Sequence, residues 1–435
     1  MGDRLLQQWV CDVNEGLKNM VDLPTETNHW KKRSIYRIPT CVTDLNKKAF
    51  KPQIISFGPY HHGQHHLLSM EEHKHRALLH FLKRCGKPIE MLTSSLAEVA
   101  QNLKDAYEPL DPEWKEDTGR FLQLMILDGC FMLEVLRSYY SHKSNDYSPN
   151  DPIFSSHGKL YIMPYIRRDM LMLENQLPML VLDKLLAVES DHANYQEDEE
   201  FLNKLIILFF EITDNVPKLG KCLHVLDVHR KSLLQEPKGK SYQPSNMNVI
   251  GGEGIIRSAI ELDEAGIRFK KSRTTSLKDI SFSGGVLRLP VIVVDDTTES
   301  MFLNLMAFER FHVGVGNDVT SYIFFMDNII DSALDVALLH SRGIIHNAIG
   351  SDNAVAKLFN SMSKDVTLDP ESSLDMVYKS INKYCKQPWN KWRANLIHTY
   401  FRNPWSIISL VAAVFLFAIT IVQTVYALCD YYRQN

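Results

Sequence analysis

The longest uninterrupted apolar run in the chain lies near its C-terminal end, from Ser406 to Leu428, and contains no charged residue, glycine or proline. An α-helix rises about 1.5 Å per residue, so a run of this length can cross the roughly 30 Å of hydrocarbon in a bilayer. Trp405 and Tyr426 stand near its ends, where amphipathic rings favour the membrane interface. The pattern predicts one C-terminal transmembrane helix, with a buried core helix as the alternative.

Three further apolar stretches predict the helices of a globular body. Residues 121–136 are hydrophobic almost all round, which indicates burial on several sides. Residues 169–186 carry Pro178, which breaks a helix in its interior and is favoured at the start of one. Residues 201–212 are apolar along most of their length. We expect these stretches to supply the core helices.

In the second half of the chain, the spacing of hydrophobic residues changes from one typical of helices to one typical of strands. Residues 278–283 and 286–289 flank Gly284-Gly285, a pair that is typical of a two-residue β-hairpin turn. The predicted fold class is therefore mainly α: a multi-helix globular body with a small β-hairpin or short-strand element and one C-terminal transmembrane helix.

The same pattern predicts three parts of the chain. Residues 1–33 are a polar lead-in, residues 34–401 form the helical body, and residues 402–435 form the membrane anchor. Loops that are long and polar are candidate contact surfaces, because they can vary without disturbing a core. Three stretches of the body are of this kind: 141–158, 189–200 and 230–254.

Charge around the C-terminal run predicts its orientation. Several cations precede the run, whereas Arg433 alone follows it and is offset by Asp430. The preceding cations are Lys379, Lys383, Lys386, Lys391, Arg393 and Arg402. Positive flanks stay on the cytosolic side, so we expect a single-pass protein with a cytosolic body, at the plasma membrane rather than the endoplasmic reticulum. The seven scattered cysteines, with no Cys-x-x-Cys pair, indicate reduced thiols and agree with this placement.

Composition narrows the class of protein without identifying a function. The chain has 435 residues, of which 45% are hydrophobic and 23% charged, so it can bury a sizeable core. Its formal net charge of -4 provides no general attraction toward nucleic acid. We therefore expect no nucleic-acid partner.

A cluster of histidines is the most conspicuous candidate for metal chemistry. Its members are His61, His62, His65, His66, His73, His75 and His80, with Glu71 and Glu72 nearby. Their spacing matches no His-Glu-x-x-His helix, and no Cys-x-x-Cys pair accompanies them. Phosphate-loop, dinucleotide-loop and Gly-x-Ser-x-Gly patterns are also absent from the sequence. The sequence predicts no metal site, no cofactor and no catalytic residue of a familiar type.

Four polar residues are set inside apolar runs. Asp128 lies within the first core stretch, and Glu174, Asn175 and Gln176 directly precede Leu177 and Pro178. Buried carboxylates can serve as acids or bases when their pKa values are raised. More often such groups satisfy helix ends and neighbouring backbone in the core. We expect the structural role, and we keep the catalytic one as the alternative.

Several motifs in order give the chain a family resemblance. They are Ile-Tyr-Arg-Ile-Pro at 35–39, Ile-Ser-Phe-Gly-Pro-Tyr-His-His-Gly at 55–63, Leu-Asp-Gly-Cys-Phe-Met-Leu-Glu at 127–134, Leu-Glu-Asn-Gln-Leu-Pro at 173–178, Glu-Ala-Gly-Ile-Arg-Phe at 264–269 and Gly-Ser-Asp-Asn-Ala-Val-Ala-Lys-Leu-Phe-Asn at 350–360. Together they resemble the plant family catalogued as domain of unknown function 247, with Phe57 standing where an aliphatic residue is expected. The resemblance implies a plant membrane protein with a mainly helical body, and it carries no enzymatic activity over to this chain.

Two classes of function follow from these observations. The first is a membrane-anchored recognition or signalling protein that binds an unidentified protein and performs no catalysis. Some grass members of the resembled family are implicated in pollen self-incompatibility, which favours this class. The alternative is an enzyme of an unfamiliar type, in which buried carboxylates and histidines of the helical body converge only in three dimensions.

Overall fold

The computed structural model describes most of the chain. The described residues are 2–18, 32–44, 46–140, 146–190, 200–211, 216–236, 255–364, 374–396 and 404–434. Large parts of the predicted loops, namely residues 141–145, 191–199 and 237–254, lie outside the described residues.

The chain divides into two compact units, each made of two stretches of sequence. The first unit comprises residues 1–235 and 297–319, and the second comprises residues 236–296 and 320–435. Both units are mainly helical and contain only short strands, as the hydrophobic pattern predicts.

Of the three stretches predicted as core helices, 121–136 lies within one helix and most of 201–212 within another, whereas residues 171–178 of the third form no helix. The first unit holds most of the helices of the described chain. In chain order they are α1 (Gly2–Lys18), α2 (Thr40–Thr43), α3 (Glu71–Cys85), α4 (Ile89–Ala97), α5 (Ala100–Asp105), α6 (Pro112–Glu116), α7 (Thr118–Tyr140), α8 (Ser156–Tyr161), α9 (Met163–Met170), α10 (Met179–Glu189), α11 (Phe201–Phe210), α12 (Val225–Leu233) and α14 (Thr298–Phe311). A 3₁₀ turn at His65–Met70 leads into α3.

Helix α7 is the centre of this unit. From Phe121 to Leu136 nearly all of its side chains are buried, because α3, α4, α10 and α11 pack around it. The approach of α10 is close at Gly129, where an added Cβ would lie 2.6 Å from Leu185 Cδ1 and 2.9 Å from Val181 Cγ1. The prediction of a helix buried on several sides is therefore confirmed, and a glycine lets the neighbouring helix reach it.

Two very short strands tie the start of this unit to its helices. Strand β1 (Ile35–Tyr36) pairs in parallel with β2 (Tyr107–Glu108), with Ile35 opposite Tyr107. A cis peptide bond joins Glu108 to Pro109 directly after β2. The pairing fixes the chain at the beginning of the first sequence motif.

The second unit combines helices with two small sheets. Its helices are α13 (Ala259–Glu264), α15 (Asp318–Ile329, which begins at the boundary between the units), α16 (Ala333–Ser341), α17 (Asp352–Met362), α18 (Asp375–Cys385), α19 (Pro388–Leu396) and α20 (Pro404–Gln434). Its strands are β3 (Arg268–Lys271), β4 (Ser281–Ser283), β5 (Val286–Leu289), β6 (Ile292–Val294) and β7 (Ile345–Asn347).

The predicted hairpin is confirmed in the second unit. Strands β4 and β5 pair antiparallel, and the turn residues Gly284 and Gly285 have φ values of 57° and 73°. Such positive values are the reason a type I′ turn selects glycine. Strand β3 completes this sheet in parallel with β5, and β6 pairs in parallel with β7.

The prediction of a transmembrane helix over Ser406–Leu428 is wrong. Within the described part of the chain, no helix combines the length and the apolar character that crossing a bilayer requires. The prediction weighed the length of the run and its lack of charge. Helix α20 also carries hydroxyl groups, and those of Thr420 and Thr424 donate to the carbonyls one turn earlier. The predicted localisation as a single-pass membrane protein with a cytosolic body, which depended on this span, is wrong as well.

Candidate functional site

Residues 52–60 form neither helix nor strand, so their buried backbone amides need partners from elsewhere. Side chains supply them. Asp169 accepts hydrogen bonds from the amides of residues 53–55 at distances between 2.8 and 3.1 Å. Asn175 Oδ1 accepts from Phe57 at 2.7 Å, and Asp128 Oδ2 accepts from Gly58 at 2.8 Å. We refer to these acceptors and the two residues beside Asn175, namely Asp128, Asp169, Glu174, Asn175 and Gln176, as the polar knot.

Gly58 allows the segment to fit closely into the knot. Its φ is 72°, and an added Cβ would lie 2.8 Å from the Tyr107 hydroxyl oxygen and 2.9 Å from the Gln176 carbonyl oxygen. The Tyr107 hydroxyl itself donates to that carbonyl at 3.1 Å. A side chain at this position would therefore be strained and would displace a buried hydrogen bond.

Asn175 and Gln176 use their amide groups to hold backbone. Asn175 Nδ2 donates to the carbonyls of Ile55 and Asp169 at 3.1 and 2.9 Å. Gln176 Nε2 donates to the carbonyls of Met170 and Met172, and Gln176 Oε1 accepts from the amide of Leu226. Both side chains are buried; each amide nitrogen donates two hydrogen bonds and each amide oxygen accepts one. The stretch between α9 and α10 is shaped by these contacts.

Asp128 meets a lysine within the same core. The Lys74 ammonium lies 2.7 Å from Asp128 Oδ1 and 2.7 Å from Glu71 Oε1, and Lys74 and Asp128 are both completely buried. Burial raises the pKa of Asp128, while the adjacent ammonium and the Gly58 amide act in the opposite direction. The carboxylate of Asp128, on α7, thus connects that helix to Lys74 on α3 and to Gly58 in the segment 52–60.

Glu174 is the knot residue that contacts a histidine. Its Oε1 accepts a hydrogen bond from the Ile38 amide at 2.6 Å, and its Oε2 lies 3.2 Å from His61 Nε2. The latter is an ion-pair distance, although the ring is not aligned for a hydrogen bond. His61 Nδ1 lies 2.9 Å from Gln64 Nε2. Glu174 and His61 thus fix the chain near β1.

The other histidines of the cluster are spread over separate environments. His62 meets the Trp114 ring edge-on, and His80 stacks on Tyr147. His66 Nε2 lies 3.1 Å from the Pro52 carbonyl. Among the residues that the structure describes, no three His, Cys, Asp or Glu side chains lie together in a way that could hold a metal.

A cleft of about 310 Å³ opens beside β2, away from these groups. It is lined by Arg33, Gln101, Lys104, Asp105, Tyr107, Glu108, Pro109, Leu110 and Lys115. Four of the five charged side chains that line it have partners: Arg33 pairs with Glu108, Lys32 with Asp105, and Lys104 Nζ donates to the Lys115 carbonyl. A ligand that binds these four groups would have to displace their contacts, and neither the knot carboxylates nor a histidine lines the cleft.

Helices α8 and α9 carry a row of exposed side chains on one side. It consists of His157, Leu160, Tyr161, Pro164 and Tyr165, and we name it the 157–165 stripe. Leu160, Tyr161 and Tyr165 are 64%, 57% and 48% exposed. The spacing of three to four residues places them on one side of the two short helices. The rings of His157 and Tyr161 lie 4.7 Å apart.

The opposite side of these helices is firmly held. The Ser155 side chain caps α8 by accepting from the Gly158 amide, and a Cβ at Gly158 would lie 2.4 Å from the carbonyl oxygens of Pro152 and Ile153. Met163 and Ile166 are completely buried on the inner side of α9. The stripe is therefore presented on a rigid support.

Sequence reasoning missed the stripe. The predicted loop 141–158 includes only its first residue, His157, and the described part of that loop packs on the core through Tyr147 and Phe154, whose rings stack 4.0 Å apart. The available signal was the helical spacing of Leu160, Tyr161 and Tyr165 after His157. That spacing resembles a core face, so only the fold reveals that this side is open.

Comparisons with known proteins place the chain in a family. A family described as a plant protein of unknown function matches residues 35–419. The UPF0481 protein At3g47200 of Arabidopsis thaliana is 31% identical over 91% of this chain and 86% of its own length. The putative UPF0481 protein At3g02645 of the same plant is 22% identical over 96% of this chain and 94% of its own length. No solved structure matches the chain. The chain therefore belongs to the plant family of unknown function catalogued as domain of unknown function 247.

Proposed function

We propose that this protein is a recognition protein that binds another protein through the 157–165 stripe and performs no catalysis. The observation that carries the proposal is the exposure of two tyrosines and a leucine on a rigidly backed pair of helices. Large exposed apolar groups that lie together mark interaction surfaces more often than isolated ones do.

The residue types in the stripe suit a protein interface. Tyrosine is enriched among the residues that carry most of the binding energy in interfaces, because it buries a large ring and keeps a polar tip. A support that is already ordered lowers the entropy cost of association. The buried inner faces of α8 and α9 provide such a support.

The use of the polar knot favours binding over catalysis. Asp169 and Asn175 accept hydrogen bonds from backbone amides. The two carboxylate oxygens of Asp128 contact the Gly58 amide and the Lys74 ammonium. Glu174 is likewise engaged with Ile38. A general acid or base needs access to substrate, and these groups are committed to holding the chain.

Membership of the family supports the proposal at a coarser level. The matching relatives are described without an activity. We extend the proposal to recognition of the self-incompatibility type, which rests on the resemblance to some grass members alone.

The test compares capture of a partner by matched variants of the full chain. Immobilised protein carrying a photo-crosslinking residue at Ser156 is incubated with extract of the plant tissue that expresses it. The wild-type protein is expected to cross-link a discrete partner. The triple variant Leu160→Ser, Tyr161→Ser, Tyr165→Ser is expected to lose it.

The control carries Leu68→Ser and Leu79→Ser, which remove two exposed leucines elsewhere in the first unit, 47% and 65% exposed. It should capture the partner as the wild type does. Equal cross-linking by the triple variant, with its circular dichroism unchanged, would show that the binding surface lies elsewhere. Turnover of a substrate by the purified chain would favour the enzyme alternative.

A further inference from the structure

Arg167 is a half-buried cation beside the stripe. Its guanidinium lies 4.3 Å from the centre of the Tyr139 ring and 4.7 Å from the centre of the Phe209 ring. Its Nε is buried without an acceptor, and no carboxylate of the described residues pairs with it. Burial lowers the pKa of this arginine, and only Tyr139 acts against that. Two aromatic rings stabilise the guanidinium, and the part of the chain that the structure describes supplies no counter-ion for it.

Lys159 is a second cation at the same ring. Its Nζ lies 6.0 Å from the centre of the Tyr139 ring and donates to the Ser138 carbonyl. An ammonium has three donors, and the described residues supply an acceptor for one of them. Burial also lowers the pKa of Lys159. The described residues place no carboxylate at ion-pair distance from it.

Other buried and half-buried arginines of the first unit differ from Arg167, because they pair with carboxylates. Arg230 pairs with Glu309 at 2.7 Å, and Arg137 and Arg84 pair with Glu189 and Glu134. Leaving a cation without a partner is costly, so a chain that pairs its other buried arginines is expected to pair this one too.

The surroundings of the stripe are positive as well. Residues 152–168 contain Lys159, Arg167 and Arg168 and no aspartate or glutamate. The next carboxylate, Asp169, is completely buried and holds the amides of residues 53–55. Arg168 pairs with Asp169 at 3.2 Å and donates to the carbonyls of Lys48 and Lys51.

We propose that Lys159 and Arg167 bind carboxylates of an acidic polypeptide segment whose apolar side chains cover the 157–165 stripe. Lys159 lies within the stripe's stretch of chain, and Arg167 follows its last residue by two positions. A guanidinium can hold a carboxylate through two parallel N–H···O bonds, and its neighbouring rings exclude water from them. This inference rests on the proposed function, because it names the chemistry of the partner that the stripe would bind.

The test uses synthetic peptides as probes and the full-length chain as the receptor. One fluorescein-labelled peptide combines Glu with Leu and Phe, and its counterpart replaces every Glu by Lys. Fluorescence anisotropy should show that the acidic peptide binds and that the basic one does not, with affinity falling as salt rises. This comparison needs no variant, so it holds even if a substitution impairs folding.

Variants then assign the binding to the two cations. Lys159→Gln and Arg167→Gln are each expected to lower the affinity for the acidic peptide about tenfold, which corresponds to a loss of about 1.4 kcal/mol of binding free energy. Arg167→Lys keeps the charge but loses the planar guanidinium, so its affinity for the acidic peptide should lie between those of the wild type and of Arg167→Gln. Arg120→Gln is the matched control, because Arg120 also stacks on a ring, Trp114 at 4.5 Å, but has Glu113 as a partner. It should leave the affinity unchanged.

Three results would overturn the inference. They are equal binding of the acidic and basic peptides, unchanged affinity in both Gln variants, and equally tight, Arg167-dependent binding of inorganic polyphosphate. If any of these occurs while the stripe variant still loses its tissue partner, the inference fails and the proposed function stands. If the acidic peptide depends on Arg167 while the stripe variant keeps its tissue partner, the proposed function fails.

Discussion

Lys74 on α3 and Asp128 on α7 are both completely buried, and the Nζ of the lysine lies 2.7 Å from Oδ1 of the aspartate. Ser56 and Glu71 also accept from the ammonium. Removing one member of such a pair leaves the other as an uncompensated charge in the core.

Lys74→Met should therefore destabilise the protein by about 3–5 kcal/mol at neutral pH. Urea denaturation followed by circular dichroism would measure this loss. Lys83→Met, on the exposed side of the same helix, should change the midpoint little. The double variant Lys74→Met, Asp128→Leu should recover part of the stability. A single variant that unfolds with the wild type would show that the pair contributes nothing.

Glu174→Ala should cost about 1–3 kcal/mol, because the Ile38 amide loses its acceptor in a partly buried place. Glu174→Gln keeps an oxygen for that amide and should cost less. The two free energies of unfolding would be compared by the same denaturation experiment. Unchanged melting of the alanine variant would remove the structural interpretation and strengthen the catalytic alternative.

Acid should destabilise the protein through two buried histidines. Burial lowers the pKa of His224 and of His229 to about 4. The neutral His224 ring accepts from the Asp227 amide at Nδ1, and its Nε2 lies 3.1 Å from the Ser34 carbonyl. Unfolded histidine titrates near 6.5, so this stability is present above pH 6.5 and is lost as the pH falls from 6.5 toward 4. Each histidine contributes roughly 3 kcal/mol to the loss.

His229→Leu should remove roughly half of that pH dependence. Denaturation midpoints at neutral and mildly acidic pH would be compared for the variant and the wild type. His75→Gln, at an exposed position, serves as the control and should retain the full dependence. A variant that loses stability with acid as steeply as the wild type would exclude His229 as a cause.

Gly129→Ala should destabilise the contact between α7 and α10 by about 1–3 kcal/mol, since the new methyl group would overlap Leu185 and Val181. Gly119→Ala lies in the same helix, and its Cβ would meet nothing closer than 3.5 Å. This control should be neutral or stabilising, because alanine favours helix over glycine. Equal thermal midpoints for the two variants would contradict the close packing.

The purified protein should carry no stoichiometric metal. His61 faces Glu174, and His62 and His80 lie against Trp114 and Tyr147. Mass-spectrometric metal analysis after expression in zinc-supplemented medium would test this. About one zinc per chain, lost in a variant with His61→Ala and His62→Ala, would overturn the prediction.

Local features of the fold could be predicted from the sequence, and long-range ones could not. The burial of α7, the break before Pro178 and the turn at Gly284-Gly285 depend on neighbouring residues, so the pattern indicates them. The segment 52–60 is different. The side chains that accept from its backbone amides lie between 70 and 118 residues away in the sequence, the farthest pair being Phe57 and Asn175.

The candidate site shows the same limit. Glu174, Asn175 and Gln176 could be recognised because they are polar residues among apolar neighbours. The sequence did not indicate that their hydrogen-bond partners would be Ile38, Ile55 and Leu226. The stripe was missed because Leu160 and Tyr161 look like core residues until the fold shows their exposure. The C-terminal run was misjudged for a related reason, since uncharged is not the same as sufficiently apolar.

The polar knot also constrains how this family can change in length. Asp169 and Asn175 accept from the amides of residues 53–57. Inserting or deleting one residue between Asp169 and Asn175 would therefore move one of these acceptors away from the amide that it binds. A substitution removes a single contact, whereas an insertion or deletion of residues would misalign several hydrogen bonds at once. Length variation among relatives should therefore be confined to other parts of the chain, and the two stretches 52–58 and 169–178 should keep their lengths even where their residues differ.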